Sequence, residues 1–133
     1  MLAENLEIAR QWVVKAQNDL LNADNNLSSQ RIPFDTVCFH CQQAAEKFLK
    51  AYIAANAFTP PHTHDLLLLL EKILPLNANA DILRENLALL MPYAIEIRYP
   101  DDGCQPTLED AQEGRDSAEK IRQWLRAELP AIF

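Results

Sequence analysis

The fold is decided by residues 34–58, which read FDTVCFHCQQAAEKFLKAYIAANAF. Apolar side chains recur there every three or four residues, which is the period of one face of an α-helix. Pro33 suits the first turn of a helix, and Thr59-Pro60-Pro61 predicts its end. The apolar face is broad, which favours packing on more than one neighbour. Its residues are Phe34, Val37, Cys41, Ala44, Phe48, Ala51, Ala55 and Phe58, flanked by Cys38, Ala45, Leu49 and Tyr52.

The segments on either side repeat this period. Residues 2–27 carry one unbroken apolar seam, and Thr63 is predicted to cap a third helix that stops at Pro75. A fourth helix is predicted from Asp81 toward Ile97, with a kink or an early end at Pro92. A fifth follows residues 107–110 (TLED), which resemble a capping box. The sequence therefore predicts an all-α fold, an up-and-down bundle of four to five antiparallel helices in a single domain over residues 1–133.

The seams of the first two predicted helices are rich in alanine. Small side chains let helix axes approach closely and leave little side-chain volume to fill a core. We therefore expect a second copy to extend the core, as a homodimer along the helix of residues 34–58. A self-sufficient monomer is the alternative, although dimers are the commonest oligomers.

Charge and hydropathy narrow the classes of function. The 133 residues carry a formal net charge of −7, which repels phosphate backbones and disfavours sequence-indifferent binding of nucleic acid. A local basic pocket stays possible. The longest apolar run, residues 66–70, is far shorter than the roughly 20 residues of a membrane-spanning helix. The N-terminus lacks a signal-peptide pattern, so we expect a cytoplasmic protein without a membrane partner.

Three cysteines do not make an even disulfide framework. Cys38 and Cys41 form a C-x-x-C inside a predicted helix, whereas a redox pair needs the helix N-terminus. A zinc site needs about four ligands and would have to recruit His62, His64 and Cys104. We therefore interpret the cysteines as small buried side chains and expect no metal and no cofactor.

A polar stripe on the second predicted helix contains candidate binding residues. It consists of His40, Gln43, Lys47 and Lys50, with Gln42 and Glu46 in a neighbouring stripe. Together they could line a cleft that receives a phosphate or an acidic group of a partner; a solvated helix face is the alternative. His64 lies near the start of the third helix, where it is expected to cap or orient the helix end.

A second candidate is residues 98–102 (RYPDD), a loop with a guanidinium, a phenol and two carboxylates. Arginine is suited to bidentate recognition of phosphate. The alternative is a clamp in which Arg98 pairs with Asp101 or Asp102 and holds the loop in place.

Three blocks of the sequence together resemble the HEPN family (higher eukaryotes and prokaryotes nucleotide-binding). They are residues 38–52 (CFHCQQAAEKFLKAY), 63–66 (THDL) and 93–101 (YAIEIRYPD). Trp12, Ala16, Asp19-Leu20 and Ala23 are similar to the first helix of the family. The resemblance implies a helical bundle, often dimeric, and often encoded with a minimal nucleotidyltransferase as a toxin–antitoxin pair.

Many members of the family that this chain resembles are metal-independent RNases. Their site is an arginine followed four to six residues later by a histidine, in the dimer cleft. Arg98 matches the arginine, but residues 102–105 (DGCQ) contain no histidine. The loop is more similar to the branch that binds nucleotides or a nucleotidyltransferase partner.

Two functions remain open, so the sequence does not decide whether the protein is an enzyme. The first is a nucleotide- or RNA-binding module that dimerises and pairs with a minimal nucleotidyltransferase. The alternative is a metal-independent RNase toxin in which His40 or His64 replaces the missing histidine. The candidate binding residues are Arg98, Lys47, Glu46, His64, Tyr99 and Asp101.

Overall fold

Helices account for most of the chain in the structure, a computed structural model that describes residues 3–95, 100 and 105–133. The described residues contain five α-helices and no β-strand. The helices are α1 (Ala3–Leu27), α2 (Phe34–Ala55), α3 (Leu66–Ile73), α4 (Arg84–Leu90) and α5 (Leu108–Glu128). Short 3-10 turns occupy Ala78–Leu83, Met91–Tyr93 and Pro130–Ile132. The prediction of an all-α bundle is confirmed.

α2 lies at the centre of the bundle, as its broad apolar face predicted. α1 and α5 pack along it, and α3 and α4 cover further parts of its surface. Lys47 meets Asp19, and Lys50 lies over Trp12, so α1 runs antiparallel to α2. α4 and α5 are also antiparallel, because Asn86 bonds Ser117 and Leu90 lies beside Gly114. No helix in the described part of the chain is both long and apolar enough to cross a membrane.

The alanine seams are buried within one chain. Ala9, Ala16 and Ala23 of α1 and Ala44 and Ala51 of α2 are all 0% exposed. The close approach that small residues allow fills the space between helices without a partner subunit. The alanine seams are therefore no argument for a partner subunit, and a homodimer along residues 34–58 stays a prediction.

α2 ends at Ala55, four residues before the predicted end at Thr59. Ala57 adopts a left-handed backbone with φ of 68°, and the N–H of Phe58 donates to the carbonyl of Ile53 at 3.2 Å. This backbone motif closes many helices, usually with glycine at the left-handed position. Phe58 consequently leaves the predicted seam and is 58% exposed.

The other helix ends follow side-chain capping and proline positions. Asp65, rather than Thr63, caps α3: its carboxylate accepts from the N–H groups of Leu67 and Leu68 at 3.1 Å each. Thr63 accepts from the N–H of Asp65 and so supports the cap. The fourth helix ends early before Pro92, as predicted, but begins at Arg84, after a 3-10 turn. The capping box at residues 107–110 is confirmed.

Candidate functional site

A buried carboxylate on α1 organises one part of the polar stripe. Oδ1 of Asp19 lies 2.9 Å from Nδ1 of His40, and Oδ2 accepts from Nζ of Lys47 at 2.5 Å. His40 and Lys47 are seven residues apart on α2, which is two turns, so both face α1. We call these three residues the Asp19 cluster. The carboxylate of Asp19 compensates the charge of Lys47 and fixes the position of the lysine ammonium.

Asp19 had entered the sequence analysis only through the family resemblance. Its position nevertheless carried a signal. It lies three residues after Ala16 and directly before Leu20, both buried, and therefore on the flank of an apolar seam. A carboxylate at such a position is seldom buried unless it has a partner, and the lysine and histidine of the facing stripe supply one.

Glu46 organises a second cluster on the neighbouring side of α2. Its Oε1 lies 2.7 Å from Nδ1 of His64, and its Oε2 accepts from Nζ of Lys50 at 2.9 Å. The ammonium of Lys50 also lies 5.6 Å from the ring centroid of Trp12. We call Glu46, Lys50 and His64 the Glu46 cluster. Glu46 is 3% exposed and Lys50 7%, so the ion pair is almost removed from water. Such a pair is tolerated only when both charges keep good partners.

The backbone and the ring of His64 are both attached to α2. The side-chain amide of Gln42 donates to the carbonyl oxygen of His64 at 3.0 Å, and Gln43 donates to Gln42 at 2.7 Å. The imidazole itself is 67% exposed. Because a carboxylate only accepts hydrogen bonds, Nδ1 of His64 carries a proton. Nε2 has no hydrogen-bond partner among the described residues and is an acceptor when the ring is neutral. His64 is therefore an exposed imidazole in a fixed orientation, and Asp65 rather than His64 caps α3.

The structure brings some of the predicted site residues together and separates others. Glu46 and His64 are in direct contact, whereas Lys47 belongs to the Asp19 cluster. Arg98, Tyr99 and Asp101 lie outside the described residues. The stripe on α2 is not a solvated helix face, because buried carboxylates hold three of its nitrogen-bearing side chains.

The C-x-x-C cysteines lie in the core. Cys38 and Cys41 are both buried, and burial raises the pKa of the Cys41 thiol to about 12. A protonated thiol is neither a nucleophile nor a metal ligand. Across the part of the chain that the structure describes, no three histidine, cysteine, aspartate or glutamate side chains converge as metal ligands would.

A third polar group, which the sequence analysis missed, joins α1 to α5. Arg115 donates to both oxygens of Asp24, at 2.6 and 3.1 Å, and to Glu119 at 3.0 Å. The hydrogen bonds to Asp24 raise the pKa of Arg115 further above its ordinary value. Arg122 donates to the second oxygen of Glu119 at 2.9 Å. The pair of Arg115 with Asp24 acts as a clamp between α5 and α1, and Glu119 supports Arg115 from within α5.

Comparisons with known proteins agree with this arrangement of helices. A family model described as "HEPN domain" matches residues 9–128. The solved structure of TT1696 from Thermus thermophilus is similar, with a TM-score of 0.78 and 32% sequence identity. The alignment covers 91% of this chain and 98% of that chain. No curated protein matches the sequence.

Proposed function

The chain belongs to the HEPN domain family, and from that premise we propose that it is a nucleotide- or RNA-associated binding module. We further propose that residues 1–133 form a single domain, which acts as a homodimer beside a minimal nucleotidyltransferase in a toxin–antitoxin type system. The observation that carries the binding role is the Glu46 cluster. Glu46, itself bonded to Lys50, contacts the exposed imidazole of His64, and Gln42 holds the backbone carbonyl of the same residue.

The charge of the chain favours a specific ligand over bulk nucleic acid. With a net charge of −7, long-range attraction of a phosphate backbone is weak or absent. Lys47 and His64 nevertheless lie on or beside one helix, α2, in a chain whose candidate loop contributes Arg98. Such a local group of nitrogen donors suits one phosphate or one nucleotide, held by directed hydrogen bonds.

Titration of the purified protein with nucleotides and with short single-stranded RNA tests the binding role. Arg98→Ala and Lys47→Gln should weaken binding, because each removes a positive charge, while the glutamine can still donate to Asp19. Lys120→Gln is the matched control, since Lys120 is exposed on α5, outside both clusters. Equal binding by all three variants and the parent would reject the site.

Co-expression with a minimal nucleotidyltransferase tests the partner. We expect the two chains to elute together in size-exclusion chromatography. Separate elution at micromolar concentrations of both chains would remove the two-component system from the proposal.

A second candidate function is RNA cleavage, and the hydrogen bond between Glu46 and His64 favours it. A carboxylate that holds Nδ1 leaves Nε2 as a proton acceptor, which is the arrangement of a general base. Of the two histidines considered, His64 fits this role better, because His40 is only 17% exposed and is bonded to Asp19.

Digestion of total RNA by the purified chain tests this candidate. His64→Asn and Arg98→Ala should each abolish cleavage, while His62→Asn, a neighbouring exposed histidine, should keep it. Equal cleavage by all variants would indicate a contaminating nuclease and reject the candidate.

A further inference from the structure

The positive charges of the two clusters are already compensated. The ammonium of Lys47 is bonded to Asp19, and that of Lys50 to Glu46. Each carboxylate thus cancels one lysine, and with neutral imidazoles the two clusters carry no net charge. A phosphate that approaches them meets no surplus of positive charge, in a chain whose overall charge is −7. The affinity of the two clusters for an anion therefore depends on a side chain that can add a positive charge.

His64 is the side chain placed to add it. Histidine is the residue that ordinarily changes its charge between pH 5 and 8. Protonation of Nε2 would add one positive charge and one hydrogen-bond donor, at the nitrogen that Glu46 leaves free. The same change at His40 is less useful to a ligand, because His40 is largely covered and faces Asp19.

The charged groups around His64 are compatible with this role. Glu46 and Lys50 face it from α2, as one ion pair. Within its own segment, the carboxylate of Asp65 is bonded to the first N–H groups of α3, and His62 is exposed. From α1, the contact with this cluster is made by Trp12, an uncharged side chain, whose ring lies beneath the ammonium of Lys50.

We infer that the Glu46 cluster binds a phosphate group through the protonated imidazole of His64, so that its affinity for nucleotides or RNA rises as the pH falls. This inference rests on the proposed binding function and adds the group that the site recognises and the condition under which it does so. Binding of the anion and binding of the proton support each other, because each is more favourable when the other is present.

The test is fluorescence anisotropy with a labelled oligouridylate of about eight nucleotides, measured at pH 8.0 and pH 6.0. The phosphodiesters and uracil do not titrate in this interval, so any change in affinity comes from the protein. Both pH values lie above the sequence pI of about 4.8. The protein therefore keeps a negative net charge in both measurements and avoids the poor solubility expected at its pI. We expect about five- to tenfold tighter binding at pH 6.0, as for one proton taken up with the ligand.

Two asparagine variants separate His64 from its neighbour. In His64→Asn the amide nitrogen can still donate to Glu46, but the new side chain cannot gain a proton, so the affinity should become independent of pH. His62→Asn is the same change two residues away and should keep the full dependence. A circular dichroism spectrum equal to that of the parent shows that each variant is folded.

The outcomes distinguish the inference from the function on which it rests. Binding that is independent of pH in the parent, or equally dependent on pH in His64→Asn, overturns the inference and leaves the binding function standing. No binding to the oligonucleotide or to nucleotides at either pH overturns both.

Discussion

Among individual side chains, Glu46 is the one on which the candidate site depends most. Its two oxygens bind different partners, Lys50 from the same helix and His64 from the segment before α3. The carboxylate thus connects the core to an exposed imidazole. A buried ion pair adds little to stability compared with apolar residues, but the loss of one member leaves the other charge buried alone.

Glu46→Ala should therefore lower the free energy of unfolding by about 3 kcal/mol, because Lys50 would lose its carboxylate in a buried position. Urea unfolding followed by circular dichroism measures the change. Glu113→Ala, on the exposed face of α5, is the control and should stay within about 0.5 kcal/mol of the parent. A loss below about 1 kcal/mol in Glu46→Ala would show that Lys50 finds water instead.

Among the helices, the end of α2 carries a residue that is not the most favourable one for its backbone conformation. Ala57 has a positive φ at the end of α2, a position where glycine carries no steric penalty. The motif forms nonetheless, because Phe58 donates to the carbonyl of Ile53 and the apolar face of α2 is already buried.

Ala57→Gly should raise the free energy of unfolding by about 0.5–1 kcal/mol, since relief of the left-handed strain exceeds the extra entropy of glycine in the unfolded chain. The midpoint of thermal unfolding should rise accordingly. Ala88→Gly, at an exposed position within α4, is the control and should lower it, because glycine is unfavourable within a helix. A lower midpoint in Ala57→Gly would contradict the assigned strain.

The clamp between α1 and α5 should depend on pH. Burial alone would raise the pKa of Glu119, but hydrogen bonds from Gln123 and Arg115, with the charge of Arg122, outweigh it and hold the pKa below the ordinary 4.5. A carboxyl with a lowered pKa in the folded state stabilises the fold above about pH 4.5 and loses this contribution as the pH falls through the lower value.

Glu119→Gln should accordingly be less stable than the parent at pH 6, and the difference should shrink toward pH 3, where Glu119 itself becomes neutral. Urea midpoints of both proteins across this interval measure the change. Glu128→Gln, exposed at the end of α5, should match the parent throughout. A difference that does not vary with pH would reject the ionised state of Glu119 as its source.

The agreement between sequence and structure was best where a pattern lies within one helix. The seams of α1 and α2 and the capping box of α5 follow from local spacing, and all three were predicted. The end of α2 was predicted less well, because an alanine with positive φ leaves no mark in the sequence. The roles of Asp19 and Gln42 were missed because their partners are 21 and 22 residues away along the chain.

For the molecule as a whole, the homodimer is the main expectation that awaits a measurement. We expect sedimentation velocity at micromolar concentration to show a dimer. Because Ala45 of α2 is fully buried within the chain, Ala45→Leu should damage the fold before it affects association. A stable monomer would leave the Glu46 cluster complete within one chain and would remove the dimer from the proposal.

The central position of α2 has a consequence for amide hydrogen exchange. α1, α3 and α5 cover this helix, so its amides should exchange only when the whole core opens. Glu46 shares that protection, whereas His64 lies on an exposed segment that can open by itself. Local opening of the segment before α3 would therefore dismantle the Glu46 cluster while the rest of the bundle stays folded. A ligand that needs His64 should in turn slow exchange in this segment and leave α2 unchanged.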